Sequence, residues 1–134
     1  MRVHTLTVGT LQTNCYLIED QEEGMGAIID PGAEPGRILK AAEGLEIRYV
    51  INTHAHFDHT TANTALLEGL RGRQGTLPEL VVHSEAAPQL TAGSGAAWFG
   101  FEAVSSPEPD RLSIPPDTRL EALAYTVLKR ASHS

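Results

Sequence analysis

Basic residues are scarce in this chain: 10 Lys and Arg stand against 17 Asp and Glu, a net charge of −7 with histidine neutral. So acidic a sequence, with no basic stripe, is poorly matched to phosphate backbones, and no nucleic-acid partner is expected. The nearest thing to a basic patch, Arg71 and Arg73 in GLRGRQG, reads as a solvated loop. Cysteine occurs once, at Cys15, which excludes an internal disulfide. Its neighbours in CYLI indicate a buried thiol behaving as a small hydrophobe. The alternative, a nucleophile, lacks a nearby positive group to lower its pKa. No apolar run is long enough to span a membrane as a helix. The start, MRVHTLTVGT, has no apolar core of a secretory signal, so a cytoplasmic protein off the membrane is expected.

The 134 residues suit one domain, 1–134, with enough chain for a hydrophobic core. VHTLTVG alternates and is rich in β-formers. NCYLIED and MGAIID follow it across short polar connections, so the three read as an antiparallel meander. PGAEPG then breaks the strand pattern. EPGRILKAAEGL reads as a helix with Ile38, Leu39 and Ala42 inward and Gly44 as its stop. IRYVIN is a short buried strand, TTANTALLEGL a second helix with Ala62, Ala65, Leu66 and Leu70 on one face, and GRQGTLP a loop. ELVVH is a further strand and SEAAPQLT opens a short helix at Ser84. From Gly93 to Pro116 the composition reads as a long loop or lid. In LEALAYTVL the apolar positions fit neither period cleanly, so strand and helix both stay open. Hairpins mixed with crossovers point to an α/β chain, a mixed sheet with helices packed outside. Leu17, Ile28 and Val50 are expected on the inner face, turned away from those helices. Leu123, Val127 and Leu128 are expected to anchor the final segment on the sheet.

Half of the 6 histidines fall in one short stretch, YVINTHAHFDHTTAN. His54, His56, Asp58 and His59 form H-x-H-x-D-H directly after a buried strand. Residues at i and i+2 on an extended segment project to the same side, so His54 and His56 can converge on one point. A turn into the next helix swings Asp58 and His59 toward the same cavity. The arrangement suits two cations side by side, one on His54 and His56, the other on Asp58 and His59. Imidazole plus carboxylate is the ligand set for zinc first, with iron or manganese as alternatives. One or two such ions lower the pKa of bound water and make a nucleophile at neutral pH. His4, in an alternating strand, reads as exposed, and His83, ending ELVVH, as a packing or hydrogen-bonding residue.

Four segments, QTNCYLI (Gln12–Ile18), IIDPGAE (Ile28–Glu34), VINTHAHFDHTTAN (Val50–Asn63) and LVVHSEAAPQL (Leu80–Leu90), together resemble the metallo-β-lactamase superfamily, in its glyoxalase II-like (hydroxyacylglutathione hydrolase-like) branch. The resemblance implies an αβ/βα sandwich, of which this chain carries mainly the N-terminal half, incomplete at the C-terminus. It implies that His54 and His56 bind a first metal and that Asp58, also the catalytic residue, and His59 bind a second. His133, in TVLKRASHS, falls on the position of the family's next ligand. Asp30, in IIDPG, would lie beneath the site and orient a ligand imidazole. Thr60 and Thr61 stand where the family usually has two glycines. The implied function is hydrolysis of a small-molecule thioester or ester by metal-bound hydroxide. Two readings remain beside it: a catalytically silent metal- or partner-binding remnant, and a half-enzyme completed by a second chain as a homo-oligomer.

Overall fold

Among the described residues, alternating or continuous β-branched runs, each closed by glycine or polar residues, give five strands, and three amphipathic stretches give three helices. The structure, a computed structural model, describes residues 1–53, 62–82, 110, 114 and 116–131. The strands are β1 (Arg2–Val8), β2 (Thr13–Asp20), β3 (Met25–Ile29), β4 (Glu46–Asn52) and β5 (Glu79–Val82); the helices are α1 (Pro35–Ala41), α2 (Asn63–Gln74) and α3 (Arg119–Ala131).

The sheet runs β1-β2-β3-β4-β5, in chain order. β1, β2 and β3 form the expected antiparallel meander, with Leu6 opposite Cys15 and Leu17 opposite Ile28. β3, β4 and β5 are parallel, with Ile28 beside Val50 and Val50 beside Leu80. Parallel neighbours require crossover connections, which α1 and α2 supply. The expected mixed sheet is therefore present.

Each sheet face has its own core. On one, Val8, Cys15, Leu17, Ile28, Val50, Leu80 and Val82 pack against Ile38 of α1 and Leu66, Leu67 and Leu70 of α2. On the other, Ile18, Ala27, Ile29, Tyr49, Ile51 and Val81 pack against Ile114 and against Leu120, Ala124 and Leu128 of α3. This reverses the expected assignment of faces, since Leu17, Ile28 and Val50 look toward α1 and α2. The physical reason is that strands buried on both sides are apolar at every position, so their pattern does not say which face is which.

α3 resolves the ambiguous LEALAYTVL stretch as helix. Leu120, Ala124 and Leu128 recur four apart and are buried, while Leu123 and Val127 flank them half-buried, so the final segment docks on the sheet as expected. Its N-terminal end is anchored twice. The Arg119 guanidinium lies 3.2 Å from the buried Asp20 carboxylate and 2.9 Å from Glu22. The Tyr49 hydroxyl donates to the Glu121 carboxylate. Burial and then this bond push the Tyr49 phenol up to about 12. The Tyr49 ring is buried, but its hydroxyl opens onto a small cleft lined by Met25, Arg48, Thr118 and Leu120.

α2 runs further than GLRGRQG suggested, to Gln74, and stops at Gly75 with φ 80°. Such a left-handed residue ends helices at little cost when it is glycine. Arg71 and Arg73 are therefore helical rather than loop residues. Arg73 also donates to the carbonyls of Leu39 (2.6 Å) and Ala42 (3.4 Å), closing the end of α1. On α2 the buried residues are Asn63, Leu66, Leu67 and Leu70, whereas Ala65 is exposed. Within Gly93–Pro116, Asp110 is bound to the free side of β5, its N–H donating to the Leu80 carbonyl and its carboxylate accepting from the Leu80 N–H, each at 2.8 Å.

Candidate metal centre

Because β3, β4 and β5 are parallel, their C-terminal ends emerge at one edge of the sheet. Open α/β sheets bind ligands outside such strand ends. Here β3 leads into Asp30-Pro31-Gly32, β4 leads into Thr53 and the histidine segment, and β5 leads into His83. His54, His56, Asp58 and His59, with Thr60 and Thr61, lie outside the described residues, as do His83 and His133. Asp30 is within them, and so are both flanks of the histidine segment.

Asp30 is 4% exposed, and its backbone takes φ 56°, which aspartate tolerates better than most residues. Its N–H donates to the Ile51 carbonyl at 2.8 Å, extending the β3–β4 pairing by one step. Its carboxylate accepts from the Thr53 N–H at 2.8 Å and from the Thr53 hydroxyl. Thr53 immediately precedes His54, so Asp30 holds the backbone from which the first imidazole departs. The next residue serves the other flank: the Pro31 carbonyl accepts from the Ala62 N–H at 3.1 Å. One D-P-G turn thus braces both ends of residues 54–61.

A second link joins the same two ends. Asn52, the last residue of β4, and Asn63, the first of α2, exchange carboxamide hydrogen bonds, Asn63 Nδ2 to Asn52 Oδ1 at 2.7 Å and Asn52 Nδ2 to Asn63 Oδ1 at 3.3 Å. Both side chains are fully buried. Sequence reasoning missed this pair. The available signal was an asparagine closing each end of the motif, one following the buried Ile51 and the other the buried Ala62.

Below Asp30 lies Cys15, one step past the paired residues Tyr16 and Ile29. Burial, and secondly the Asp30 carboxylate, push its thiol up to about 12. A thiol held protonated is no nucleophile at neutral pH, so the reading of Cys15 as a buried hydrophobe stands. His4 is exposed as expected and sits 2.8 Å from the Glu19 carboxylate.

Among the described residues, no three His, Cys, Asp or Glu side chains come together to hold a metal ion. The histidine segment between the braced flanks lies outside those residues and stays the candidate donor set. Three imidazoles and a carboxylate within six residues are chemically suited to zinc, iron or manganese. Among the described residues, no helix is long and apolar enough to cross a membrane.

The profile of the metallo-beta-lactamase superfamily matches residues 8–124. A hydroxyacylglutathione hydrolase of Thermosynechococcus vestitus is 38% identical over 88 residues, 58% of this chain and 34% of that protein. The mitochondrial persulfide dioxygenase ETHE1 of Mus musculus is 33% identical over 103 residues, 71% of this chain and 39% of that protein. Among solved structures, a protein crystallised in a di-iron-bound form superposes with a TM-score of 0.65 at 33% identity, over 79% of this chain and 51% of that one. The chain thus spans little more than a third of these curated relatives and about half of the solved one.

Proposed function

The chain belongs to the metallo-beta-lactamase superfamily, and from that premise we propose that it is a cytoplasmic, metal-dependent hydrolase of the glyoxalase II-like type, acting on a small thioester or ester. The observation that carries the reading is the bracing of H-x-H-x-D-H: Asp30 holds Thr53 on one side and Pro31 holds Ala62 on the other. The likeness to a hydroxyacylglutathione hydrolase supports the substrate class.

In this reading His54 and His56 hold one ion, zinc by preference, with His133 as third ligand, and Asp58 and His59 hold a weaker second. A bound ion supplies Lewis acidity and lowers the pKa of water toward neutrality. The protein's share is orientation. Asp30 fixes Thr53 and therefore the direction in which His54 leaves the strand. Asp58 contributes the only carboxylate in the cluster and takes part in proton transfer at the reacting water. Support for His133 comes from α3. Thirteen residues rise about 20 Å, close to the length of β4. The helix starts beside Asp20, in register with Met25 and Glu46 at the beginnings of β3 and β4, and buries Leu128 in the same cluster as Ile29 and Ile51. It therefore heads toward the edge that carries Asp30.

A second reading, a metal-binding module without turnover, is favoured by α3 covering a sheet face that the sandwich architecture gives to a second sheet. Metal analysis with solution mass, followed by thioester and persulfide assays, separates the two. The hydrolase reading expects one tight ion per chain and slow thioester cleavage. His54→Ala should abolish the tight ion, and His133→Ala should weaken it about 10–100-fold. Metal binding without any cleavage gives the module. A chain that takes up no zinc, iron or manganese overturns both.

A further inference from the structure

The Asn52–Asn63 pair has no place in the chemistry above, yet its two side chains are the most deeply buried polar groups among the described residues. Each buried carboxamide costs about 1–3 kcal/mol unless hydrogen-bonded. The pair does not serve α2 as a cap: the residue before the helix is Ala62, and no side chain caps that end. It sits among core residues rather than at the surface, with 0% exposure at both positions. What it does is join the last residue of a strand to the first residue of a helix, 11 positions apart. Two antiparallel amide bonds fix distance and orientation together, whereas a single bond leaves rotation free.

We propose that the Asn52–Asn63 carboxamide pair is a positioning clamp that sets the separation and angle of the two ends of residues 54–61 and thereby the metal affinity of the segment. The inference rests on the metal-centre reading. In this proposal the pair is not a ligand and acts through the ends it holds. The Asp30–Thr53 and Pro31–Ala62 bonds brace each end against the D-P-G turn, and only the asparagine pair, among the described bonds, ties the two ends to each other. Ends fixed in advance spare the ordering entropy that metal binding would otherwise have to overcome.

The double variant Asn52→Leu/Asn63→Leu separates positioning from stability. Replacing both partners of a buried hydrogen bond by apolar groups of similar size costs folding less than replacing one of them. The clamp therefore expects a double variant less destabilised in urea than either single variant, whose zinc affinity, measured by competition with a chromophoric chelator, falls about 10–100-fold. Zinc affinity equal to wild type in the folded double variant overturns the proposal. A metal-free arm keeps it decidable. Amide hydrogen exchange at residues 54–61 of the apo chain should speed up about 10-fold or more in the double variant, with β3 and β4 amides unchanged. Should wild type bind none of zinc, iron or manganese, the metal reading fails, and unchanged exchange at 54–61 then overturns the clamp independently. Should the double variant not fold, Asn63→Ala is measured in the same two ways at a temperature where it is folded.

Discussion

Asp30→Ala is the sharpest test of how the site is built into the fold. The carboxylate accepts at least two hydrogen bonds from Thr53, and bonds to a charged acceptor contribute about 1.5–3 kcal/mol each. Alanine at φ 56° adds about 1 kcal/mol of backbone cost that aspartate largely avoids. Some of this is recovered as water or neighbouring groups reach the orphaned Thr53 N–H. The expected loss is about 3–5 kcal/mol, a large part of the 5–15 kcal/mol typical of a domain. With a urea m-value of about 1.5 kcal/mol per molar, the midpoint should drop by about 2–3 M. Asp30→Asn keeps one acceptor oxygen and the tolerance for left-handed backbone, so it should lose only about 1–2 kcal/mol. It also removes the second cause of the raised Cys15 pKa, so thiol titration should move down while staying well above 9, since burial is the larger cause. Urea melts of the three proteins decide the matter. A loss below about 1 kcal/mol for Asp30→Ala, or an Asn variant as damaged as the Ala one, refutes the reasoning.

Cys15 makes stability fall at high pH. The folded chain holds the proton up to about 12 while the unfolded chain releases it near 9, so stability is intact below pH 9 and declines between the two values by up to about 1.4 kcal/mol per pH unit. Cys15→Ala should flatten urea midpoints between pH 9 and 10; an unchanged slope counts against the assignment. Leu120→Ala, at a residue 1% exposed under α3, should cost about 2–4 kcal/mol by cavity formation, and a cost under 1 kcal/mol would mean that α3 is not docked as described.

Much of the fold was legible because local patterns and tertiary outcome agree. Alternation in VHTLTVG, the glycine and proline punctuation of PGAEPG and the apolar spacing around Leu66 and Leu70 each gave the right element. Two things were not. Leu17, Ile28 and Val50 were assigned to the wrong face, because a strand apolar on both sides carries no parity signal. The α2 end was placed too early, because Gly72 and the arginines around it look like loop composition, whereas the true stop is the left-handed Gly75. At the site, the histidine motif stands out in the sequence by residue type and spacing, and its side chains lie outside the described residues. The Asn52–Asn63 pair does not stand out, because an asparagine at the edge of a motif reads as solvated until its burial is known.

The sheet's strands lie in chain order, so every strand pairing can form as the chain adds one element to the last. α3 is the exception: its Arg119–Asp20 contact spans 99 residues. For a flexible chain, closing that span costs about 2 kcal/mol more entropy than closing the 11-residue span between Asn52 and Asn63. The face made by Ile18, Ile29, Ile51 and Val81 is therefore the last to be covered and the first to be bared. In kinetic terms, the expected outcome is docking of α3 after the transition state, so that Leu120→Ala raises the unfolding rate and leaves the folding rate nearly unchanged. A slowed folding limb would place the helix in the nucleus instead. Late docking also gives newly made chains a window in which an apolar sheet face stands open, and in that window, rather than in the finished fold, the chain is most exposed to aggregation.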